Sequence, residues 1–286
     1  MRFFGEKGVQ HLLRLVAFSA LFGLLLIAIF IFQEGLPIIL KLGLKHFLFA
    51  VHWEPQSGQF GIFPMLIASL WVTFGAMIVG APLGIAGAIF LVEFVPRSVM
   101  RIIKPIIELL AGIPSVVFGF IGVMVLAPFI REHFGGSGLS ILSASIILGT
   151  MILPTVMSIS IDSIMAVPYS YREGSFALGA TRWQTVHMVV LKAARSGIIA
   201  SIILGMGRAI GETMAVIMIA GNAVKIPHSV LDSVRTLTAN IALEMGYATG
   251  MHRQALFATG VILFVVIMIL NSIANVLIKA KVSPKK

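Results

Sequence analysis

Six apolar stretches divide the chain, near residues 15–32, 66–92, 105–129, 141–161, 197–220 and 255–278. A helix crossing ~30 Å of hydrocarbon needs about 20 apolar residues, so each stretch predicts a membrane span. The connections at 33–60 and 222–254 are long enough to hold short helices of their own. Leu231, Val234, Leu237, Ile241 and Met245 recur at helical spacing, which predicts an amphipathic helix near the membrane surface that either caps the bundle or docks a partner. The connection at 162–195 is more informative. Val167-Pro168 is a helix start, Tyr169 to Leu178 supplies about three turns, and Gly179 is a stop. Arg182-Trp183 then opens a second short helix leading into the fifth span. With apolar Phe176 and Leu178 on it, this helix–glycine–helix layout suits either a docking element or an interfacial helix resting on lipid.

Composition agrees with this pattern. The chain has 286 residues, 58% of them hydrophobic and 11% charged, against roughly 25% charged in soluble domains. So little charge does not cover a globular surface in water, and lipid is the expected solvent. The first stretch follows Arg2, Lys7 and Arg14 but outruns a signal-peptide core, and Gln33-Glu34-Gly35-Leu36-Pro37 holds no small-x-small cleavage site. It is expected to stay as a helix.

The net charge of +10 raises nucleic acid as a partner, but the distribution of the charges explains it otherwise. Fourteen basic residues fall on one side of a six-span topology: Arg2, Lys7, Arg14, Arg97, Arg101, Lys104, Arg172, Arg182, Lys192, Arg195, Lys279, Lys281, Lys285 and Lys286. Six fall on the other side, and Arg208 lies inside a span. Both termini are therefore expected in the cytoplasm, and nucleic acid drops out. The chain has no cysteine, and its seven histidines form no HExxH pattern. No metal site and no cofactor are expected.

Arg208 falls eleven residues after Gly197, about 16 Å along a helix and near the bilayer midplane. An arginine there costs on the order of 2.5–3.5 kcal/mol on insertion scales. Glu212, four residues on, would share its helical face and partly neutralise it. Two readings stand: a structural ion pair, or a polar pathway. Buried pairs seldom add net stability, which favours the pathway, and arginine's planar fork suits an oxyanion. Glu212 would accept a hydrogen bond from a protonated oxyanion such as hydrogen phosphate and find no proton on sulfate. Gly207 and Gly211 would permit close helix approach on an adjacent face.

Glu173-Gly174-Ser175, then Gly179, then Val189 and Leu191 resemble the EAA loop of ABC-importer permeases: EAA, three residues, glycine, nine residues, I-x-L-P. Gly174-Ser175 departs from Ala-Ala, and Lys192 stands where proline is usual. Residues 112–120 (GIPSVVFGF), 151–154 (MILP) and 207–213 (GRAIGET) resemble the phosphate-specific branch. Met214-Ala215-Val216 and Ala220-Gly221-Asn222 resemble its C-type members rather than the A-type, which usually reads Gly-Glu-Thr-Ala-Pro.

The resemblance covers spans two to six. It implies an all-α polytopic bundle of six transmembrane helices with the type I ABC importer permease (MetI-like) fold, lying in the inner (plasma) membrane. The expected organisation is a tail, first helix and external loop over 1–60, a transmembrane domain over 61–278, and a basic tail over 279–286. The implied function is import of inorganic phosphate, with Arg208 and Glu212 on the pathway and Glu173, Phe176, Ala177, Leu178 and Gly179 coupling to an ATPase. The implied partners are an A-type permease, two cytoplasmic ATPase subunits and an extracytoplasmic phosphate-binding protein. The chain lacks G-x-x-x-x-G-K-[ST], so it is expected to be no enzyme. The alternatives are an A-type phosphate permease, a permease for molybdate, sulfate or phosphonate, and, more distantly, a secondary anion transporter.

Overall fold

The computed structural model of the protein describes residues 2–282. Met1 and residues 283–286, with the expected tail charges Lys285 and Lys286, lie outside the described residues. The long helix α1 (Arg2–Leu42) leads to α2 (Leu44–Phe49) and a two-stranded antiparallel hairpin, β1 (Trp53–Glu54) with β2 (Gln59–Phe60). The hairpin marks one face of the bundle, and the 162–195 connection marks the opposite, loop face. α3 (Phe63–Glu93) runs to the loop face, where α4 (Arg97–Ala111) begins. α5 (Ser115–Ile121) passes through one π-helical turn into α6 (Ala127–Phe134), and α7 (Ile141–Met165) returns to the loop face.

The loop face then carries α8 (Tyr169–Ala177), α9 (Arg182–Thr185) and α10 (Leu191–Ala193). α11 (Arg195–Gly211), α12 (Met214–Ile219), α13 (Leu237–Glu244) and α14 (Gly250–Val282) complete the chain. Among the described residues five helices are long and apolar enough to span a membrane, and the bent pair Arg182–Ala193 and Arg195–Gly211, meeting at 69°, makes a sixth when taken as one span.

Two of the expected spans differ from what forms. The stretch at 105–129 is not one helix. The chain breaks at Gly112-Ile113-Pro114, because a residue before proline is driven out of the α region, and the span runs from Ser115 to Phe134. Pro105 instead lies inside α4. On α4, Arg97, Arg101, Lys104 and Glu108 form a charged stripe at helical spacing, while Met100 and Ile107 are buried against the end of α7. Lys104 Nζ donates to Asp162 Oδ1 at 2.5 Å, and this bond holds its ammonium above the usual lysine range. The stretch at 197–220 is broken as well, at Glu212-Thr213 between α11 and α12.

α3 and α7 lie side by side because glycines remove the side chains between them. A Cβ at Gly80 would sit 2.5 Å from the Gly149 carbonyl oxygen, and one at Gly84 would sit 3.1 Å from that of Leu153. Such backbone approach is how membrane helices gain packing without a hydrophobic driving force. α11 packs across α7 in the same way, with Gly205 against Val156. The expected close approach at Gly207 and Gly211 does not occur within this chain, since no atom lies within 4 Å of a Cβ built on either.

A separate core joins the hairpin face: Ile38, Phe47, Trp53 and Phe60 pack with Leu237, Ala255 and Leu256. The amphipathic helix expected through Leu231–Met245 shortens to Leu237–Glu244. Val234 is diverted into a backbone bridge with Gly221, where its amide donates to the Ala220 carbonyl. The preceding loop is tied by Asp232, which accepts from Lys225 Nζ at 2.8 Å and from the amides of His228 and Ser229. These bonds, Lys225 first, lower its pKa to about 2. Their contribution is present above the ordinary aspartate pKa and is lost as pH falls through about 2.

Candidate functional site

Arg208 sits one turn before the end of α11, partly buried. Its Nη1 donates to Thr155 Oγ1 at 2.9 Å, and its Nη2 donates to the Ala111 carbonyl at 3.2 Å. Ala111 immediately precedes Gly112-Ile113-Pro114-Ser115, and Thr155 immediately follows Met151-Ile152-Leu153-Pro154. The three stretches singled out in the sequence therefore meet at one guanidinium. Gly119 of the first stretch packs on α12, which follows the third, where an added Cβ would lie 3.1 Å from Ala215 Cα.

The helical partnership expected between Arg208 and Glu212 does not form. Helix α11 ends at Gly211, and Glu212 takes an extended backbone with φ −68° and ψ 132°. The (i, i+4) geometry is lost with the helix, and among the ion pairs of the described residues none joins the two. Glu212 Oε1 instead accepts from the Ala215 amide at 3.3 Å, an otherwise unpaired donor in the first turn of α12. Its carbonyl accepts from Thr238 Oγ1 at 2.9 Å, which ties the break to the start of α13.

At the loop face, α8 ends as its sequence indicates. Gly179 has φ +80°, its amide donates to the Phe176 carbonyl, and the Ala180 amide donates to the Ser175 carbonyl. This is a Schellman closure, which needs the left-handed backbone that glycine adopts at no steric cost. α9 starts on a capping box between Thr181 and Gln184. The turn between the helices presents Leu178 at 90% exposure, with Phe176 and Trp183 also exposed. Glu173 and Ala177 are exposed on the same helix.

Two clusters lie beyond what periodicity reveals. Arg172, next to Glu173, donates through Nη2 to Glu93 Oε1 at 2.6 Å and through Nη1 to the Val167 carbonyl at 3.0 Å. The pair is buried, at 11% and 9% side-chain exposure, and losing one partner of such a pair costs about 3–5 kcal/mol. Its one sequence signal is an acid placed at the end of an apolar span. At the hairpin face, buried Glu244 accepts from Trp53 Nε1 at 2.8 Å and from Arg235 Nη1 at 2.7 Å, and its Oε2 lies 2.8 Å from His252 Nε2. That carboxylate joins the hairpin, α13 and α14.

The chain is thus a bundle of membrane-spanning helices with a polar node at Arg208 inside it and an exposed apolar loop outside it. Solved structures share the fold: an importer of the acidic polysaccharide alginate (TM-score 0.64, 16% identity, 99% of this chain and 100% of that one) and the MetNI methionine ABC transporter in an inward-facing conformation (TM-score 0.59, 18% identity, 81% and 100%). The protein belongs to the binding-protein-dependent transport system inner membrane components, whose family model matches residues 80–283. It is 44% identical to the probable ABC transporter permease protein YqgH of Bacillus subtilis, over 84% of this chain and 80% of that protein. It is also 32% identical to the phosphate transport system permease protein PstC of Haemophilus influenzae, over 93% and 91%, and 36% identical to that of Mesorhizobium japonicum, over 80% and 76%.

Proposed function

We propose that this chain is the C-type permease of an ATP-driven importer of inorganic phosphate, paired with an A-type permease. Two ATPase subunits dock on the loops of the two permeases, one of them on this chain's loop face, and an extracytoplasmic phosphate-binding protein delivers the anion to the hairpin face. The observation that carries this reading is the convergence of the three stretches on Arg208. A guanidinium has five N–H donors, so the bonds to Thr155 and Ala111 leave further donors for an oxyanion. Glu212, whose carboxylate is bonded through Oε1 alone among the described residues, keeps a second oxygen that accepts from hydrogen phosphate. Exposed Leu178 and Phe176, set by Gly179, are the docking surface for the ATPase. The chain itself is a transport subunit, with hydrolysis carried out by the partner.

The test of this reading is isolation of the assembled complex. A tagged chain should carry an ATPase subunit through purification. A chain that purifies without one, yet moves anion down its gradient, would make it a secondary transporter instead.

The same reading places the loop face and both termini in the cytoplasm. Cysteine labelling tests it cleanly, because the parent has no cysteine. Ser57→Cys, exposed beside the hairpin, should react with a membrane-impermeant maleimide in intact cells, and Ser283→Cys should react only after lysis. The reverse pattern would invert the topology.

A further inference from the structure

Glu93 closes α3 and is buried, and two segments of the loop face, α8 and α9, converge on it. Its carboxylate accepts from Arg172 Nη2 at 2.6 Å and from Arg172 Nε at 3.3 Å, which fixes α8 to the end of α3. The same guanidinium donates to the carbonyls of Val167 and Ile164, which fixes α8 to the end of α7. Arg182, opening α9, donates to the Glu93 carbonyl and stacks over Phe94 with its guanidinium carbon 5.2 Å from the ring centre. Ser175 and Thr185 join α8 to α9 at 2.9 Å. The connection at 162–195 is therefore clamped at both of its short helices.

The helices it is clamped to are themselves inseparable. α3 and α7 lie in backbone contact at Gly80 and Gly84, and α7 holds Arg208 through Thr155. A close-packed pair of this kind moves as one body, since packed interiors do not deform continuously. We infer that Glu93 is a positioning residue for coupling: with Arg172 it locks the docking loop to the α3–α7 pair, so that displacement of α8 is delivered to the helix that holds Arg208. This rests on the importer reading. Arg172 is the right residue for the task, because its planar fork reaches one carboxylate and two carbonyls at once. Lysine in its place would not span all three.

The experiment places spin labels at Gly174→Cys on α8 and Leu83→Cys on α3, both exposed, in the full complex with its ATPase. The distance is read without nucleotide and with nucleotide trapped, and ATP-driven uptake is read from the same preparation. With Glu93 in place the distance should be the same in both states. In Glu93→Gln, which keeps an acceptor but loses the charge, it should shift with nucleotide, and uptake per ATP hydrolysed should fall roughly tenfold, within the usual range of coupling between linked sites. A distance that shifts in the parent, or an unchanged distance and uptake ratio in Glu93→Gln, would overturn the assignment. If Glu93→Gln fails to assemble, Arg172→Lys is the second variant. Its failure to assemble as well would also overturn the assignment, by making the clamp a folding element. The distances do not depend on which anion is carried, so a parent that shows the expected distances but moves no phosphate refutes the phosphate reading and leaves the clamp standing.

Discussion

Replacing Gly179 by proline should leave the protein in the membrane and disconnect it from its ATPase, with uptake falling to background. The Gly179 backbone stands at φ +80° and its amide donates to Phe176. Proline locks φ near −65° and removes that donor, so both features of the closure are lost together. The turn that points Leu178 outward then has no means of holding its angle. The spans are untouched, because no atom lies within 4 Å of a Cβ at Gly179. Glu173→Lys, exposed on the same helix, should weaken docking by reversing a charge on the contact face. Co-purification and uptake are the measurements. Normal values for both variants would remove the coupling role from this loop.

Arg208→Gln should abolish uptake while assembly is retained. Glutamine ends two bonds short of the Nη1 that bonds Thr155, but α11 stays packed on α7 through Gly205 and Val156, and a polar group remains at the node. The positive charge is gone. Hydrogen bonds to charged groups contribute about 1.5–3 kcal/mol each, so losing two at the anion slows its passage on the order of 100-fold or more. The double change Arg208→Glu with Glu212→Arg separates pathway from scaffold. A structural bridge would survive the exchange. Here Glu212 caps α12 rather than pairing with Arg208, so the exchange removes a cap and misplaces the cation, and no rescue is expected. Full uptake by the exchanged protein, at normal expression, would contradict the pathway role.

The parts of this molecule governed by local rules were legible in the sequence. Apolar length revealed the spans, and Pro168, Gly179 and their spacing revealed α8 and its end to within a residue. Arg208 stood out because a charge among apolar residues has no local excuse. What failed were inferences that carried a local rule across a break. Residues 105–129 read as one apolar run because hydropathy does not register the backbone restriction before Pro114. The Arg208–Glu212 pair followed from assuming a helix through residue 212, where the chain turns extended.

The clamps were invisible for a different reason. Glu93 and Arg172 are 79 residues apart, and Trp53 and Glu244 are 191 apart. No periodicity links such positions. Only the folded bundle brings them within hydrogen-bonding distance.

On this reading the chain passes phosphate when an ATPase acts on it. The direct measurement is uptake of radiolabelled phosphate by proteoliposomes holding this permease, its A-type partner and the ATPase, with ATP and binding protein supplied or withheld. Accumulation should require both ATP and binding protein, and sulfate in excess should leave it unchanged. Phosphate accumulation without ATP, or ATP-driven uptake of sulfate or molybdate with phosphate excluded, would contradict it.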